Sequence, residues 1–195
     1  QEMVTGFLCF DGMTVGAVAN RTKKYDEEGK ETASFEARLT TAGCEKAAAF
    51  VKTCDAFNIP VLTLTNVEGY ATSVEEEKTI AAAAAKLTAA FAESDVPKVN
   101  MITGNAYGSA YITMNSKHIG ADMVFALNGA KVGMMDANVA AKIMYEGADA
   151  TTLNEKAAEY KELQNGIASA AARGYVDTVI KAEDTRKYVI GAFEM

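Results

Sequence analysis

The chain has 195 residues, of which 49% are hydrophobic, so it is long and apolar enough for one folded domain and is not predicted to be disordered. Its formal net charge of −7 at pH 7, without a basic patch, argues against binding to nucleic acid. No apolar run reaches the length of a transmembrane helix, no targeting signal is apparent, and we expect a soluble, cytoplasmic protein.

Short apolar runs that suit strands alternate along the chain with segments of helical periodicity. The first two predicted strands, 5–10 and 14–20, flank Asp11-Gly12, which is a strong hairpin signal. The polar stretch 23–30 is expected to be a solvated loop or a hairpin tip. Further strands are predicted at 61–66, 98–103, 123–127, 130–134 and 176–180.

The clearest helix is predicted at 44–57, where apolar residues recur at three- and four-residue steps. A second helix at 75–91 is acidic in its first turn, as the helix dipole favours, and contains an alanine run that suits close packing. Because no Pro-rich or Gly/Ser-rich linker interrupts this alternation, residues 1–195 are predicted to form a single α/β domain. The other predicted helices are 109–117, 137–145, 152–172 and 183–193.

The three cysteines, Cys9, Cys44 and Cys54, lie in apolar or helical contexts and lack the close pair spacing of a zinc site. We expect all three to be buried thiols in a reducing cytoplasm, and no metal site is predicted. The first residue, Gln1, is not a methionine, which indicates a processed or truncated chain.

Conventional catalytic side chains are scarce in this sequence. There is one histidine, His118, which a structural role at the end of a helix would explain, and there is no nucleophile elbow, P-loop or zinc-protease motif. If the protein is an enzyme, backbone dipoles are therefore expected to stabilise the charge that develops in its reaction.

The segment 99–114, VNMITGNAYGSAYITM, passes from a strand through small residues to the start of a helix. Gly104, Gly108, Ser109 and Ala110 leave the backbone uncluttered there, and free amides at a helix start can bind an anion. An ordinary tight turn is the alternative interpretation, because small residues are common in turns.

A second candidate site follows the predicted strand 61–66, because ligands of α/β proteins favour the loops after strands. It contains Glu68, Gly69 and Tyr70. A solvated loop position is the alternative explanation for Glu68.

Segments along nearly the whole chain resemble one enzyme family. The chain is similar to the carboxyltransferase β-subunits of propionyl-CoA and acetyl-CoA carboxylases, and to the related methylmalonyl-CoA decarboxylase and transcarboxylase subunits. The segments occur in the order of that family and are GAVAN at 16–20, EKAAAF at 45–50, CDAFNIP at 54–60, VPKV at 96–99, AYGSAY at 106–111, NSKHIGAD at 115–122, AARGYVD at 171–177 and DTR at 184–186.

The resemblance implies an α/β fold of the crotonase/ClpP-like type, a superhelix of ββα units, and it implies half an enzyme. Family members usually have an N-terminal domain that binds the acyl-CoA and a C-terminal domain that binds biotin, and residues 1–195 resemble the C-terminal one. The implied partners are the N-terminal CoA-binding domain, a biotin carboxyl carrier protein and further subunits of a homo- or hetero-oligomer. One such oligomer in the family is a membrane decarboxylase.

The resemblance also assigns roles to particular residues. The amides of Ser109 and Ala110, which follow Gly108, hold the ureido oxygen of carboxybiotin, and Gly69 and Tyr70 line the same cleft. Ile112 faces the acyl group. In the implied reaction carboxybiotin releases carbon dioxide, its ureido anion takes a proton from the acyl α-carbon, and the enolate attacks the carbon dioxide. Biotin is carried by another protein, and the coenzyme A thioester is a substrate.

This sequence departs from the family pattern at Glu68, in the segment 78–85, at Ser109, where glycine is commoner in the family, and in the loop 21–39, which is longer than that of the family. Glu68 replaces a proline of the family, and the segment 78–85 lacks the glycines, arginine and histidine that open the next helix in the family. These changes favour a second hypothesis, a diverged subunit that acts as a scaffold. A third hypothesis, a crotonase-type hydratase or isomerase, needs a carboxylate such as Asp136 or Glu146 over the substrate, although a helix cap and an exposed helix surface also explain these two residues.

Overall fold

The computed structural model describes residues 2–195, which form a mixed α/β fold around a seven-stranded sheet. The strands are β1 (Met3–Phe10), β2 (Met13–Asn20), β3 (Lys23–Tyr25), β4 (Glu31–Ser34), β5 (Arg38–Leu39), β6 (Val61–Val67), β7 (Gly69–Tyr70), β8 (Lys98–Tyr107), β9 (Met123–Leu127), β10 (Lys131–Gly133) and β11 (Thr178–Ile180). The helices are α1 (Thr41–Ala56), α2 (Val74–Glu77), α3 (Ile80–Glu93), α4 (Gly108–Thr113), α5 (Ala137–Met144), α6 (Ala150–Gln164), α7 (Ile167–Ala172) and α8 (Thr185–Glu194).

The sheet begins with the predicted hairpin. Strands β1 and β2 pair antiparallel, and both turn residues have positive φ, 49° at Asp11 and 80° at Gly12. Two positive φ values give a turn whose twist matches that of the strands, which is why Asp-Gly is favoured there. The polar stretch that follows forms the small hairpin of β3 and β4, as expected.

The rest of the sheet is parallel, and helices connect most of its successive strands, although a short turn joins β9 to β10. The order is β1-β2-β6-β8-β9-β11, and β10 pairs with β8 beyond the end of β9. Helix α1 connects β2 to β6, helices α2 and α3 connect β6 to β8, and α1 packs against α3. Ala83 and Ala84 are buried at that contact, so the alanine run provides close packing, as predicted.

Three predicted helices are interrupted or shorter. The helix predicted at 75–91 is two helices that separate at Lys78 and Thr79, and the one predicted at 152–172 breaks at Asn165 and Gly166. Asn165 is buried and its Nδ2 donates to the carbonyl of Met135 at 3.0 Å, a contact that stabilises the break. Each break depends on a contact with a distant part of the chain, which helical periodicity does not record.

The helix predicted at 109–117 ends at Thr113. Asn115 adopts φ 55°, a left-handed conformation that asparagine tolerates better than most residues, and a short 3₁₀ turn follows at Lys117–Ile119. The strand before this helix is longer than the predicted 98–103 and continues to Tyr107. Strand β8 therefore leads directly into α4.

Helices α5 and α6 form a hairpin with its own small cluster, in which Ala137, Ala141 and Ala157 are buried. Large apolar side chains on this hairpin are nevertheless exposed, among them Ile143, Met144 and Leu163. Exposed apolar surface of this kind often marks a contact with another protein. None of the helices among residues 2–195 is both long enough and apolar enough to cross a membrane.

The prediction that all three cysteines are buried is wrong for Cys9. Cys44 and Cys54 lie on α1 and are buried in the core, whereas Cys9 lies on the edge strand β1 and is exposed. Burial raises the pKa of the Cys44 thiol to about 12 and that of Cys54 to about 11, so both stay protonated near neutral pH.

We therefore expect a thiol reagent such as Ellman's reagent to modify one cysteine of the native chain at pH 8 and all three in denaturant. The thiolate is the reacting form. At Cys44 and Cys54 the raised pKa values keep the thiols protonated, and burial keeps the reagent away from the sulfur atoms. The Cys9→Ser variant should lose the native reaction. Rapid native labelling of that variant would contradict the burial of the other two thiols.

Candidate functional site

The candidate site is built where β8 ends and α4 begins. The chain turns there at Gly108, whose φ is 59°, and a Cβ atom at this position would lie 3.0 Å from the carbonyl oxygen of Met134. Glycine is the residue that accepts both this conformation and this close approach. The amides in the first turn of a helix, here those of Ser109 and Ala110, have no carbonyl partner within the helix.

A cleft of about 560 Å³ lies along α4. Its volume is in the range of small-molecule and cofactor sites, and most of its wall is apolar or aromatic, as in such sites generally. Met134 is 72% exposed at this wall. The residues that line the cleft are Gly108, Ser109, Tyr111, Ile112, His118, Val132, Gly133, Met134, Met135, Ala170, Arg173 and Tyr175.

No aspartate or glutamate is among these lining residues, all of which lie in the described part of the chain. Arg173 contributes a positive charge, and its guanidinium donates to Gln164 Oε1 at 2.8 Å. Burial raises the pKa of Tyr111 to about 12, so its phenol is neutral at physiological pH. The wall of the cleft is thus neutral or positive in a chain of net charge −7, which favours an anionic ligand.

His118 lies in the 3₁₀ turn after α4 and packs between two aromatic rings. The ring centroid of Tyr111 is 6.1 Å away in an edge-on arrangement, and that of Tyr175 is 4.9 Å away. These contacts agree with the structural role expected for the single histidine.

Gly69 and Tyr70 do not line this cleft. They form β7, which pairs in parallel with β5. The hydroxyl of Tyr70 shares a hydrogen bond of 2.9 Å with Oγ1 of Thr113, the last residue of α4. The structure therefore brings Tyr70 to the C-terminal end of α4, whereas Gly108 and Ser109 lie at the N-terminal end of this helix.

Two of the departures from the family pattern, Glu68 and the segment 78–85, form side-chain contacts within the chain. Glu68 Oε1 accepts a hydrogen bond of 2.6 Å from Asn105 Nδ2 on β8. In the segment 78–85, Lys78 forms an ion pair of 3.1 Å with Glu75, and the Thr79 hydroxyl lies 2.9 Å from that of Thr41. These side chains connect the loop after β6 and the start of α3 to neighbouring elements.

The carboxylates considered for a hydratase lie elsewhere. Asp136 is the N-cap of α5 and accepts a hydrogen bond of 2.9 Å from the amide of Asn138, so the helix-cap interpretation is confirmed. Glu146 is exposed after the end of α5. Neither residue lines the cleft beside α4.

The second wall of the cleft has no recognisable signal in the sequence. Residues 132–135 line it because β10 pairs in parallel with the last three residues of β8, Val132 opposite Ala106 and Gly133 opposite Tyr107. Arg173 and Tyr175 belong to the AARGYVD segment, which was noted for its resemblance to the family but not as part of a site. A strand prediction covered 130–134, but nothing in a single sequence specifies which strand is its neighbour.

Comparisons with known proteins identify the family to which this chain belongs. A family model described as the carboxyl transferase domain matches residues 1–195. The chain belongs to the carboxyl transferase domain family. This family has solved members, and their fold confirms the α/β crotonase-type superhelix that the resemblance implied.

Two relatives and one solved structure illustrate the family. The chain is 41% identical over 202 residues to the putative propionyl-CoA carboxylase beta chain of Bacillus subtilis, an alignment that covers 100% of this chain and 38% of that protein. It is 35% identical over 202 residues to the methylmalonyl-CoA carboxyltransferase 12S subunit of Propionibacterium freudenreichii subsp. shermanii, covering 100% of this chain and 36% of that protein.

The solved structure is that of the transcarboxylase 12S hexamer with hydrolysed methylmalonyl-coenzyme A bound. It superimposes with a TM-score of 0.90 at 36% identity and covers 100% of this chain and 37% of that one. The chain thus spans little more than a third of the length of each of these three proteins.

Proposed function

We propose that residues 1–195 are the C-terminal, biotin-side domain of a biotin-dependent carboxyltransferase. It moves a carboxyl group between carboxybiotin and a short acyl-CoA such as acetyl-, propionyl- or methylmalonyl-CoA. The observation that carries this proposal is the cleft beside α4 in a member of the carboxyl transferase family, which presents free first-turn amides and no carboxylate among its lining residues. The names of its relatives support the substrate class.

The cleft fits the ring system of biotin in size and chemistry. Its volume of about 560 Å³ and its largely apolar wall suit a compact, mostly apolar ring, and the amides of Ser109 and Ala110 suit a ureido oxygen that gains negative charge. Gly108 allows the backbone to approach such a ligand. Gly69 and Tyr70 remain part of the proposed site through the contact of Tyr70 with Thr113 on α4.

When it is bound, carboxybiotin supplies both the carboxyl group and the base for the α-proton, so the protein needs no acidic or basic side chain for that step. The residues of this chain orient the ligand and stabilise charge. Ser109 lines the cleft, and Ala110 follows it in the first turn of α4 with its side chain buried in the core. Their backbone amides donate toward the developing oxyanion, while Ile112 and Met135 exclude water from the cleft. Arg173 adds positive potential at the same wall.

The proposal includes partners. A CoA-binding carboxyltransferase domain, a biotin carboxyl carrier protein and further subunits complete the enzyme, which works in the cytoplasm. One observation on this chain supports an assembly: the α5–α6 hairpin exposes Ile143, Met144 and Leu163. The hexamer of transcarboxylase 12S is a precedent for such an assembly.

Transfer of a radioactive carboxyl group from carboxylated carrier protein to propionyl-CoA tests this function. The chain alone should transfer none, and addition of the CoA-binding domain should restore transfer. Full turnover by the chain alone would contradict the half-enzyme proposal. Absence of biotin binding even in the assembled complex would favour the scaffold hypothesis.

Substitution of Ile112 by alanine should change the preference among acyl-CoA substrates. Ile112 is half-buried at the cleft wall, and its truncation enlarges the cleft by a few methylene groups. Each methylene in an apolar pocket changes discrimination by about 1–3 kcal/mol. We expect kcat/KM for butyryl-CoA relative to propionyl-CoA to rise roughly tenfold. Val139→Ala, an exposed change on α5 outside the cleft, is the control and should leave the ratio unchanged.

A further inference from the structure

A chain of polar side chains lies in the core beneath α4. Thr65 on β6 and Asn100 on β8 are both 0% exposed, and their side chains reach the carbonyl of Met114, the C-cap residue that directly follows α4. Thr65 Oγ1 lies 2.9 Å from Asn100 Oδ1 and 3.4 Å from the Met114 oxygen. Asn100 Nδ2 lies 3.2 Å from that same oxygen. We refer to Thr65 and Asn100 as the α4 anchor.

The directions of these hydrogen bonds follow from the chemistry of the groups. Thr65 has a single hydroxyl proton, and the shorter contact shows that it donates to Asn100 Oδ1. The amide of Asn100 is thereby oriented, so that its Nδ2 donates to the Met114 carbonyl, which can only accept. Thr65 therefore fixes the orientation of Asn100, and Asn100 holds the end of α4.

A second contact holds the next residue. Asn115 is also 0% exposed, and its Nδ2 donates to Oγ1 of Thr63 on β6 at 3.2 Å. The end of α4 is thus tied to the two central strands of the parallel sheet at two successive residues.

A gain in stability does not by itself explain why polar side chains lie in the core beneath α4. Strands buried inside parallel sheets are usually continuous apolar runs, and a buried amide or hydroxyl gains little net stability over a well-packed apolar group. What hydrogen bonds add is a defined position. Helix α4 has six residues, too few to be stable by itself, and its other end forms the wall of the cleft at Gly108 and Ser109.

We infer that Thr65 and Asn100 are positioning residues for carboxyl transfer, because they set the place of α4 and so of its first-turn amides and Ile112. This inference rests on the proposed function. The consequence is large because displacement of a reacting group by about 1 Å lowers a rate roughly 100-fold. Neither residue lines the cleft, so each acts through α4.

The test compares Thr65→Val and Asn100→Leu with Thr65→Ser and Leu62→Ala in the assembled enzyme. Thr65→Val removes the hydroxyl at nearly constant volume, and Thr65→Ser retains it. Leu62 is buried on β6 but packs in the cluster on the other side of the sheet, so Leu62→Ala lowers stability without touching α4. It serves as the control for a general loss of stability.

We expect kcat to fall roughly 100-fold in Thr65→Val and Asn100→Leu, with KM for the acyl-CoA changed less than about threefold. Thr65→Ser should keep kcat within about threefold of the wild type, and Leu62→Ala should do so even at an equal or lower Tm. If Thr65→Val and Asn100→Leu retain kcat, or lose no more than Leu62→Ala does at equal Tm, the inference is wrong.

Hydrogen exchange of the peptide that covers α4 provides a readout independent of activity. It should become roughly tenfold faster in Asn100→Leu than in Leu62→Ala, because the helix loses its attachment to the sheet. If this change occurs while the wild-type complex transfers no carboxyl group, the proposed function fails and the anchoring of α4 stands. If exchange of α4 is the same in both variants, the anchor itself is refuted.

Discussion

Replacement of Gly108 by valine is expected to abolish most carboxyl transfer and to destabilise the fold. A β-branched residue is strongly disfavoured at φ 59°, and its Cβ would lie 3.0 Å from the Met134 carbonyl oxygen, a backbone atom that cannot rotate away. Relief of this contact must shift α4 or the segment after β10, which are the two walls of the cleft. We expect a loss of about 3 kcal/mol in the free energy of unfolding.

The expected loss of kcat is roughly 100-fold, since the amides of Ser109 and Ala110 move with the start of α4. Urea unfolding and the carboxyl transfer assay measure the two effects. Gly12→Val is the matched control, because Gly12 also has positive φ, 80°, but a Cβ there meets no atom within 4 Å and the residue lies in the β1–β2 turn. It should lower stability without lowering kcat. Equal kcat values for the Gly108 and Gly12 variants would refute the role of Gly108 in the site.

Stability should fall steeply in alkaline solution. Burial raises the pKa of Cys44 from 9.0 to about 12, and burial raises the pKa values of Tyr107 and Tyr111 from 10.0 to about 12. Above pH 9 the unfolded chain therefore releases protons that the folded chain retains. Because the folded state then binds more protons, the free energy of unfolding decreases as the pH rises from about 9 to about 12.

The size of this effect follows from linkage. One unit of pKa difference corresponds to about 1.4 kcal/mol, so at pH 11 the loss is about 3 kcal/mol from Cys44 and about 1 kcal/mol from each tyrosine. Below pH 9 these three groups make their full contribution to stability. Together the three losses are a large fraction of the stability of an ordinary domain, so we expect unfolding near pH 11.

Urea unfolding at pH 8 and at pH 10.5 measures the decrease, and absorbance at 295 nm reports tyrosine ionisation. The Cys44→Ala variant should lose less stability between the two pH values than the wild type, by about 2 kcal/mol. Cys9→Ala, which removes an exposed thiol, is the control and should keep the wild-type pH dependence. A pH dependence unchanged in Cys44→Ala would show that the thiol is not buried in solution.

Local signals in the sequence predicted much of the fold. Asp11-Gly12 specified the first hairpin because a two-residue turn needs only its own φ angles. Period-two and helical patterns located most strands and helices, since each pattern records which face of one element is buried. The small residues at 104–110 suggested an anion site or a tight turn, and of these residues Gly108 and Ser109 line a cleft in the structure.

Contacts between distant segments account for what the sequence did not reveal. The breaks at Thr79 and at Asn165 depend on partners far away in the chain, such as Thr41 and Met135. Cys9 is exposed on β1, which lies at the edge of the sheet. The local sequence pattern of an apolar strand does not show whether the strand lies at the edge or in the middle of a sheet. The contact of the Tyr70 hydroxyl with Thr113 at the C-terminal end of α4 also joins two distant segments.

The sequence by itself thus determined the α/β class, the resemblance to carboxyltransferases and the loop at Gly108, because these depend on local periodicity, motif order and backbone freedom. Only the tertiary structure shows which residues lie opposite that loop. The pairing of β10 with β8 brings Met134 against Gly108, and the packing of α7 brings Arg173 to the same cleft. Which strands pair and which helices pack together depends on the packing of the whole core, and local sequence patterns do not carry this information.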